Sequence, residues 1–280
     1  NSRVKKIQKI VIEELPRSSR RHPNFNFKTT RPSGKKVVEL DGIGKSYDDN
    51  TVLDKVSLTV ERGNRLALIG PNGIGKSTLL KAALGVVPRV SGRVRVLGVD
   101  PARRRRLVAY VPQRSSVDWD FPTSVLDVVL MGTYGQLGWF RRPGRKERAL
   151  ALHSLEQMEM ADLAGRQIAE LSGGQQQRVF LARALVQDAE VYFMDEPFAG
   201  VDAVTEQSIA SLMGALSHKG KTILSVHHDL ATVPRYFEHA VLLNRAVQAV
   251  GTVKEVFHRS NLDRLYGGRV PADVPELASV

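Results

Sequence analysis

The chain has 280 residues, 41 lysines and arginines against 29 acids, and no cysteine. At about 150 residues per domain, that length is enough for one large domain or two small ones with a sizeable core. The 42% hydrophobic and 25% charged content excludes wholesale disorder, and the missing thiols exclude a disulfide framework, a thiolate metal site and a cysteine nucleophile. No apolar stretch approaches the about 18 residues of a membrane span and no signal-peptide pattern is present, so a soluble, cytosolic chain is expected.

The net charge of +12 is unevenly spread. Residues 1–36 hold eleven of the bases and two of the acids, for +9, and the remainder carries only +3. A nucleic-acid partner is therefore not expected, because the basic excess lies outside the part that can fold. Within the leading segment, Val4, Ile7, Val11 and Leu15 fall at helical spacing among lysines, and residues 16–36 have no period. Residues 1–35 read as a basic, disordered extension suited to an anionic surface.

Order begins near Val37. Residues 37–41 and 55–60 are predicted strands flanking a polar turn at Asp48-Asp49-Asn50. Arg65 to Ile69 is a short apolar run suited to a buried strand, and Ser77 to Leu84 is a helix closed by Gly85 and Pro88. Strands follow at 93–97 and 107–111. Residues 145–164 place Arg148, Leu152, Leu155 and Met158 at helical spacing, and a second helix runs from Ser172 to Val186. Val191–Met194 and Thr222–Val226 are apolar strands. Alternating strands and helices predict an α/β fold with a mainly parallel sheet, preceded by a small antiparallel β layer.

Gly70-Pro71-Asn72-Gly73-Ile74-Gly75-Lys76-Ser77-Thr78 matches the phosphate-binding pattern G-x-x-x-x-G-K-[ST], between an apolar strand and a helix. Glycines let successive backbone N–H groups face phosphate oxygens at a helix N-terminus. Lys76 is expected to reach the β- and γ-phosphates of ATP, and Ser77 to ligate Mg²⁺. Val191-Tyr192-Phe193-Met194-Asp195-Glu196 carries two carboxylates to the end of a buried strand. Asp195 is expected to hold Mg²⁺ and Glu196 to polarise the attacking water.

Leu171-Ser172-Gly173-Gly174-Gln175 resembles the signature motif of ATP-binding cassette (ABC) ATPases, and the family's other elements stand in order around it. Tyr47 resembles the adenine-stacking aromatic. Gln113, in Tyr-Val-Pro-Gln, resembles the Q-loop glutamine. Ala199-Gly200-Val201-Asp202 resembles the D-loop, and His228, in Val-His-His-Asp-Leu, resembles the switch histidine. The resemblance implies a P-loop NTPase with a RecA-like core over 36–258, a helical subdomain inserted at about 114–178, and a C-terminal tail over 259–280. It implies Glu196, His228, Gln113 and Lys76 as catalytic residues, and Ser77, Gln113 and Asp195 around Mg²⁺. The nucleotide would be bound by Tyr47, the loop residues Gly70 to Gly73, Gly75 to Thr78, Ser172 to Gln175, and Asp202. It also implies a homodimer in which the Ser172–Gly174 turn of one copy covers the γ-phosphate held by the other. His227 is expected to be structural.

One ABC unit without a membrane span implies a subunit that serves a separate integral-membrane permease at the cytoplasmic face of the membrane. The stretches 116–122, 128–135 and 138–143, together with Leu242–Arg245, Gly251, Glu255–Phe257, Asn261-Leu262 and Tyr266–Gly268, are similar to the ATPase subunits of manganese, zinc and iron importers. That likeness implies an extracytoplasmic metal-binding protein as an indirect partner. Lipid or drug export, or a nucleic-acid-associated ABC ATPase, are the alternatives. Both tryptophans, Trp119 and Trp139, fall in the first of these regions, and exposed aromatics there would form a docking surface. The departures from the family pattern are Ile74, where a small residue is usual, and the basic run Arg103–Arg106.

Overall fold

A computed structural model describes residues 34–103, 105–137 and 141–268. The basic leading segment, Trp139 and the last twelve residues lie outside the described residues.

The described chain opens with a long hairpin, β1 (Lys36–Tyr47) and β2 (Asn50–Glu61). The pair is longer than the sequence predicts, and closes directly at Tyr47↔Asn50 through Asp48 at φ 48°. There follow β3 (Arg65–Ile69), α1 (Lys76–Ala83), β4 (Ser91–Val96) and β5 (Val108–Val111). A helical portion comes next: α2 (Val125–Leu130), α3 (Tyr134–Leu137), α4 (Arg145–Gln157) and α5 (Gly173–Val186). Then come β6 (Val191–Asp195), α6 (Ala203–His218), β7 (Thr222–Val226), α7 (Val233–Tyr236), β8 (His239–Asn244), β9 (Ala246–Thr252), α8 (Val253–Val256) and α9 (Arg259–Tyr266).

Two sheets result. A three-stranded antiparallel sheet has the order β2-β1-β4, and a six-stranded sheet has the order β5-β6-β7-β3-β8-β9. The larger sheet is parallel except for its antiparallel edge strand β9. Its central strands are mostly apolar because both faces are covered. In β3, Leu66 and Leu68 face the small sheet and α1, whereas Ala67 and Ile69 face the opposite helices. The same period of two sends Phe193 one way, and Tyr192 and Met194 the other.

Two elements differ from the sequence reading. The helix expected to 164 stops at Gln157, since Glu159 takes a left-handed backbone at φ 55°, and it buries Ala151, Ser154 and Leu155 and leaves Leu152 exposed. The helix expected from Ser172 to Val186 is present as α5, which reaches into the main core. The fold also extends past 258, because α9 buries Leu262 and Leu265 in that core.

Parallel pairing has one consequence for chemistry. The C-terminal ends of β5, β6, β7 and β3 lie along one edge of the sheet, so the segments that follow them meet there. In open α/β sheets that edge is where ligands bind.

Candidate functional site

The chain leaves β3 at Ile69 and turns through Gly73 and Gly75, at φ 78° and 97°, into α1. A side chain at Gly75 would bring a Cβ within 2.6 Å of Val52 and 2.9 Å of Leu53, so the loop lies directly on β2. Gly75 caps α1 without a side-chain bond, and the first-turn N–H groups of the helix are left for a ligand. Lys76 is 5% exposed, and its Nζ donates to the carbonyls of Gly70 at 2.6 Å and Pro71 at 2.7 Å. Burial lowers its pKa, and the carboxylates of Glu196 and Asp195 oppose that shift.

The end of β6 faces this loop. Asp195 is fully buried and accepts from Ser77 Oγ at 2.8 Å. Burial raises its pKa, the Ser77 bond pulls it back, and the neighbouring Glu196 charge raises it further. Glu196 stands in the left-handed region at φ 50°. A non-glycine residue there stores about 1–2 kcal/mol of strain. Gln113, just past β5, donates from Nε2 to Glu196 Oε2 at 2.9 Å.

The two histidines after β7 separate. His228 is exposed and lines the pocket, while His227 turns inward at 2% exposure. The Thr232 hydroxyl donates to Asp229 Oδ2, so its oxygen accepts from His227 Nε2 at 2.8 Å. The His227 ring packs on Phe198 and Phe237. Burial, helped by His228, pushes its pKa down to about 4.

These segments enclose an open pocket of about 520 Å³. Asn72, Gly73, Gly75, Lys76, Ser77 and Thr78 form one wall, and Gln113, Glu196 and His228 face them. Ala199 and Gly200 also line it, although the sequence marked only Asp202 of that motif as a binding residue. The Ala-Gly pair, with Gly200 at φ 66°, was the available signal. Asp195 touches the pocket only through Ser77, and Gly70 and Pro71 only through their carbonyls on Lys76.

The other anticipated residues do not line this pocket. Tyr47 ends β1 in solvent, 47% exposed, with Lys45 Nζ 4.6 Å from its ring centre. Ser172 caps α5: its Oγ accepts from Gln175 N–H at 3.3 Å, and Gln175 Oε1 accepts from Ser172 N–H at 2.9 Å. Asp202 caps α6 through Thr205 N–H at 2.8 Å. A Cβ on Gly174 would lie 3.3 Å from Asp202 Oδ2, so these two motifs adjoin each other rather than the pocket. Trp119 is half-buried and meets Phe180 of α5 edge-on at 5.0 Å. It belongs to the packing of the helical portion, which corrects its reading as a docking aromatic.

Chemically, the loop's N–H groups and Lys76 suit a polyphosphate. The paired oxygens of Ser77 and Asp195 suit a hard divalent cation such as Mg²⁺, and a fully buried carboxylate gains from one. Gln113 fixes one oxygen of Glu196 and leaves the other for a proton.

Residues 53–199 match the family model described as ABC transporter. A zinc transport system ATP-binding protein of Treponema pallidum, TroB, is 57% identical over 234 residues, covering 84% of this chain and 88% of that protein. A manganese transport system ATP-binding protein of Bacillus subtilis, MntB, is 54% identical, covering 83% and 93%. A solved structure described as an inward-facing conformation of a metal-chelate type ABC transporter superposes with a TM-score of 0.73 at 26% identity, covering 83% and 89%. A dimeric bacterial ABC transporter cassette, MJ0796, gives 0.68 at 27% identity, covering 77% and 98%.

Proposed function

This chain belongs to the ABC transporter family and is an ATPase of its ATP-binding type, and we propose that it powers the uptake of divalent metal ions (manganese, zinc or iron) through a separate permease. The observation that carries the ATPase chemistry is the convergence of Lys76, the Ser77–Asp195 pair and the Gln113–Glu196 pair on one pocket. The cargo reading is supported by relatives that share more than half of their aligned residues with this chain and are named for zinc and manganese transport. Among the described residues no helix is long and apolar enough to cross a membrane. The path would be supplied by a separate permease at the cytoplasmic face of the membrane, a reading supported by relatives named as ATP-binding proteins of transport systems.

The roles follow from the geometry. Lys76 exchanges the carbonyls of Gly70 and Pro71 for phosphate oxygens, so its ammonium passes from one set of acceptors to another. Ser77 Oγ and Asp195, with the Gln113 amide oxygen, would hold Mg²⁺. When bound, that ion neutralises phosphate charge. Glu196, oriented by Gln113, accepts a proton from the attacking water, and His228 contacts the γ-phosphate from across the pocket. Ser172, Gly173 and Gly174 stand apart from this pocket in their own chain. In a head-to-tail homodimer they close the partner's pocket, and water is excluded from both. Tyr47 stacks on the adenine from the exposed end of β1.

Two measurements test this reading. Glu196→Gln should keep ATP affinity within about threefold while kcat falls at least about 10²-fold. Wild-type turnover in that variant would overturn the role of Glu196. Vesicles holding the chain with its permease and the metal-binding protein should take up radioactive manganese, zinc or iron only with ATP. ATP-driven uptake of a different solute would overturn the cargo.

A further inference from the structure

Gln113 and Arg114 are consecutive, yet they serve different places. Gln113 reaches Glu196 in the nucleotide pocket of its own chain. Arg114 turns to the start of α5, where its Nε donates to Gln176 Oε1 at 3.1 Å. Gln176 is buried, and its own Nε2 donates to the Ile168 carbonyl at 3.2 Å, so the acceptor oxygen is fixed toward Arg114. The guanidinium also rests on Gly173. A Cβ there would stand 2.8 Å from Arg114 Cζ and 3.0 Å from its Nε and Nη1.

The backbone on either side of Arg114 is pinned to the same helix. Arg183 Nη2 donates to the Tyr110 carbonyl at 3.1 Å, and Trp119 packs on Phe180 while its Nε1 donates to the Arg114 carbonyl at 2.9 Å. Gln176, Phe180 and Arg183 follow at spacings of four and three, which is one face of α5. Residues 110–119 thus lie along that face, with Gln113 at the pocket and Arg114 at the helix start.

We propose that Arg114 is a positioning residue for the nucleotide held by the second copy of the chain: by holding Gly173 and Gln176 it sets where the Ser172–Gly174 turn stands. The role rests on the head-to-tail pairing proposed above. It ties the two sites together, because the residue that reads one pocket is bonded to the residue that presents the cover of the other. A planar guanidinium suits the task, since it offers a fixed fork of donors and packs on a bare Cα. Gly173 leaves that space open, and a side chain there would displace it.

Two differently tagged versions of the full chain, co-expressed, give mixed dimers. With Glu196→Gln in one copy, only the other copy's pocket turns over. Arg114→Ala is then placed either in the Glu196→Gln copy, whose turn covers the working pocket, or in the working copy. The expected result is a fall in kcat of about tenfold in the first arrangement, with KM for ATP changed less than about twofold, and a rate near the parent's in the second. Both arrangements contain one altered chain, so a folding defect would depress both. Equal losses, a loss only in the working copy, or no loss in either overturns the proposal. Arg114→Lys in the first arrangement should leave most of the loss in place. Full rescue would mean that charge suffices and would overturn the positioning role. An unsubstituted dimer that hydrolyses no ATP overturns the function assigned above, and this role with it. An active parent without the trans effect overturns this role alone.

Discussion

His227 and His228 are adjacent and identical in type, yet the fold gives them opposite surroundings. His228 is exposed at the pocket, while His227 is buried against Phe198 and Phe237 and bonded to Thr232. The buried one carries a stability consequence. Its folded pKa of about 4 lies below the ordinary histidine value, chiefly through burial. The unfolded chain therefore binds the extra proton more readily between the two values. Stability from the neutral buried ring is complete above about pH 6.5 and is lost as pH falls toward 4. The unfolding free energy from urea titrations should drop across that window by an amount on the order of 1–3 kcal/mol, and His227→Gln should flatten the drop. An unchanged pH slope in the variant would refute the assignment. Glu196 makes a related point, since its left-handed backbone aims the carboxylate at Gln113 and the pocket at a local cost in strain.

At the scale of elements, α5 and α9 show how tertiary packing sets function and limits. The N-terminal turn of α5 is fixed by a capping box from Ser172 and Gln175 and by Arg114 from outside. The capping box uses Ser172 of the turn proposed to cover the partner's nucleotide, and the Arg114 guanidinium rests on Gly173 of the same turn, so local stability and function coincide there. At the other end of the chain, α9 is short and polar except for Leu262 and Leu265, which enter the main core. Leu265→Ala should cost about 2–4 kcal/mol by cavity formation, read as a lower urea midpoint for the whole domain. A cost under about 0.5 kcal/mol would mean that α9 is not part of the cooperative unit.

For the whole molecule, the pocket is open, and the signature turn of the same chain does not line it. A second copy is the complement that the proposed function requires. In sedimentation experiments, Glu196→Gln should form dimers with ATP and return to monomers with ADP. Monomers under both conditions would overturn the shared-site arrangement.

Much of this molecule was legible in the sequence where the requirement was local. The phosphate loop could be read because Gly73 and Gly75 meet a backbone demand at φ 78° and 97° that few other residues satisfy. Strands β3, β6 and β7 could be read as largely apolar runs because both faces are buried. Other elements carried weaker patterns. In α6, the buried Ile209, Met213 and Leu216 are diluted by alanine, serine and glycine, and β8 with its hairpin partner β9 shows no clean alternation. The order of the pairings was beyond local reach. Ser77 meets Asp195 across 118 residues and Gln113 meets Glu196 across 83, because the strand order β5-β6-β7-β3 places distant segments at one edge.

Fold class, phosphate-binding chemistry and the residue types that serve it can be read from the order of the amino acids, since each is a constraint on a few neighbouring residues. Which residues touch follows from the three-dimensional packing. It turned Trp119 onto α5 and packed Leu262 and Leu265, past 258, into the main core. It also set Arg114 on Gly173. Contacts between segments far apart in the chain depend on sheet topology and packing, and no local pattern encodes them.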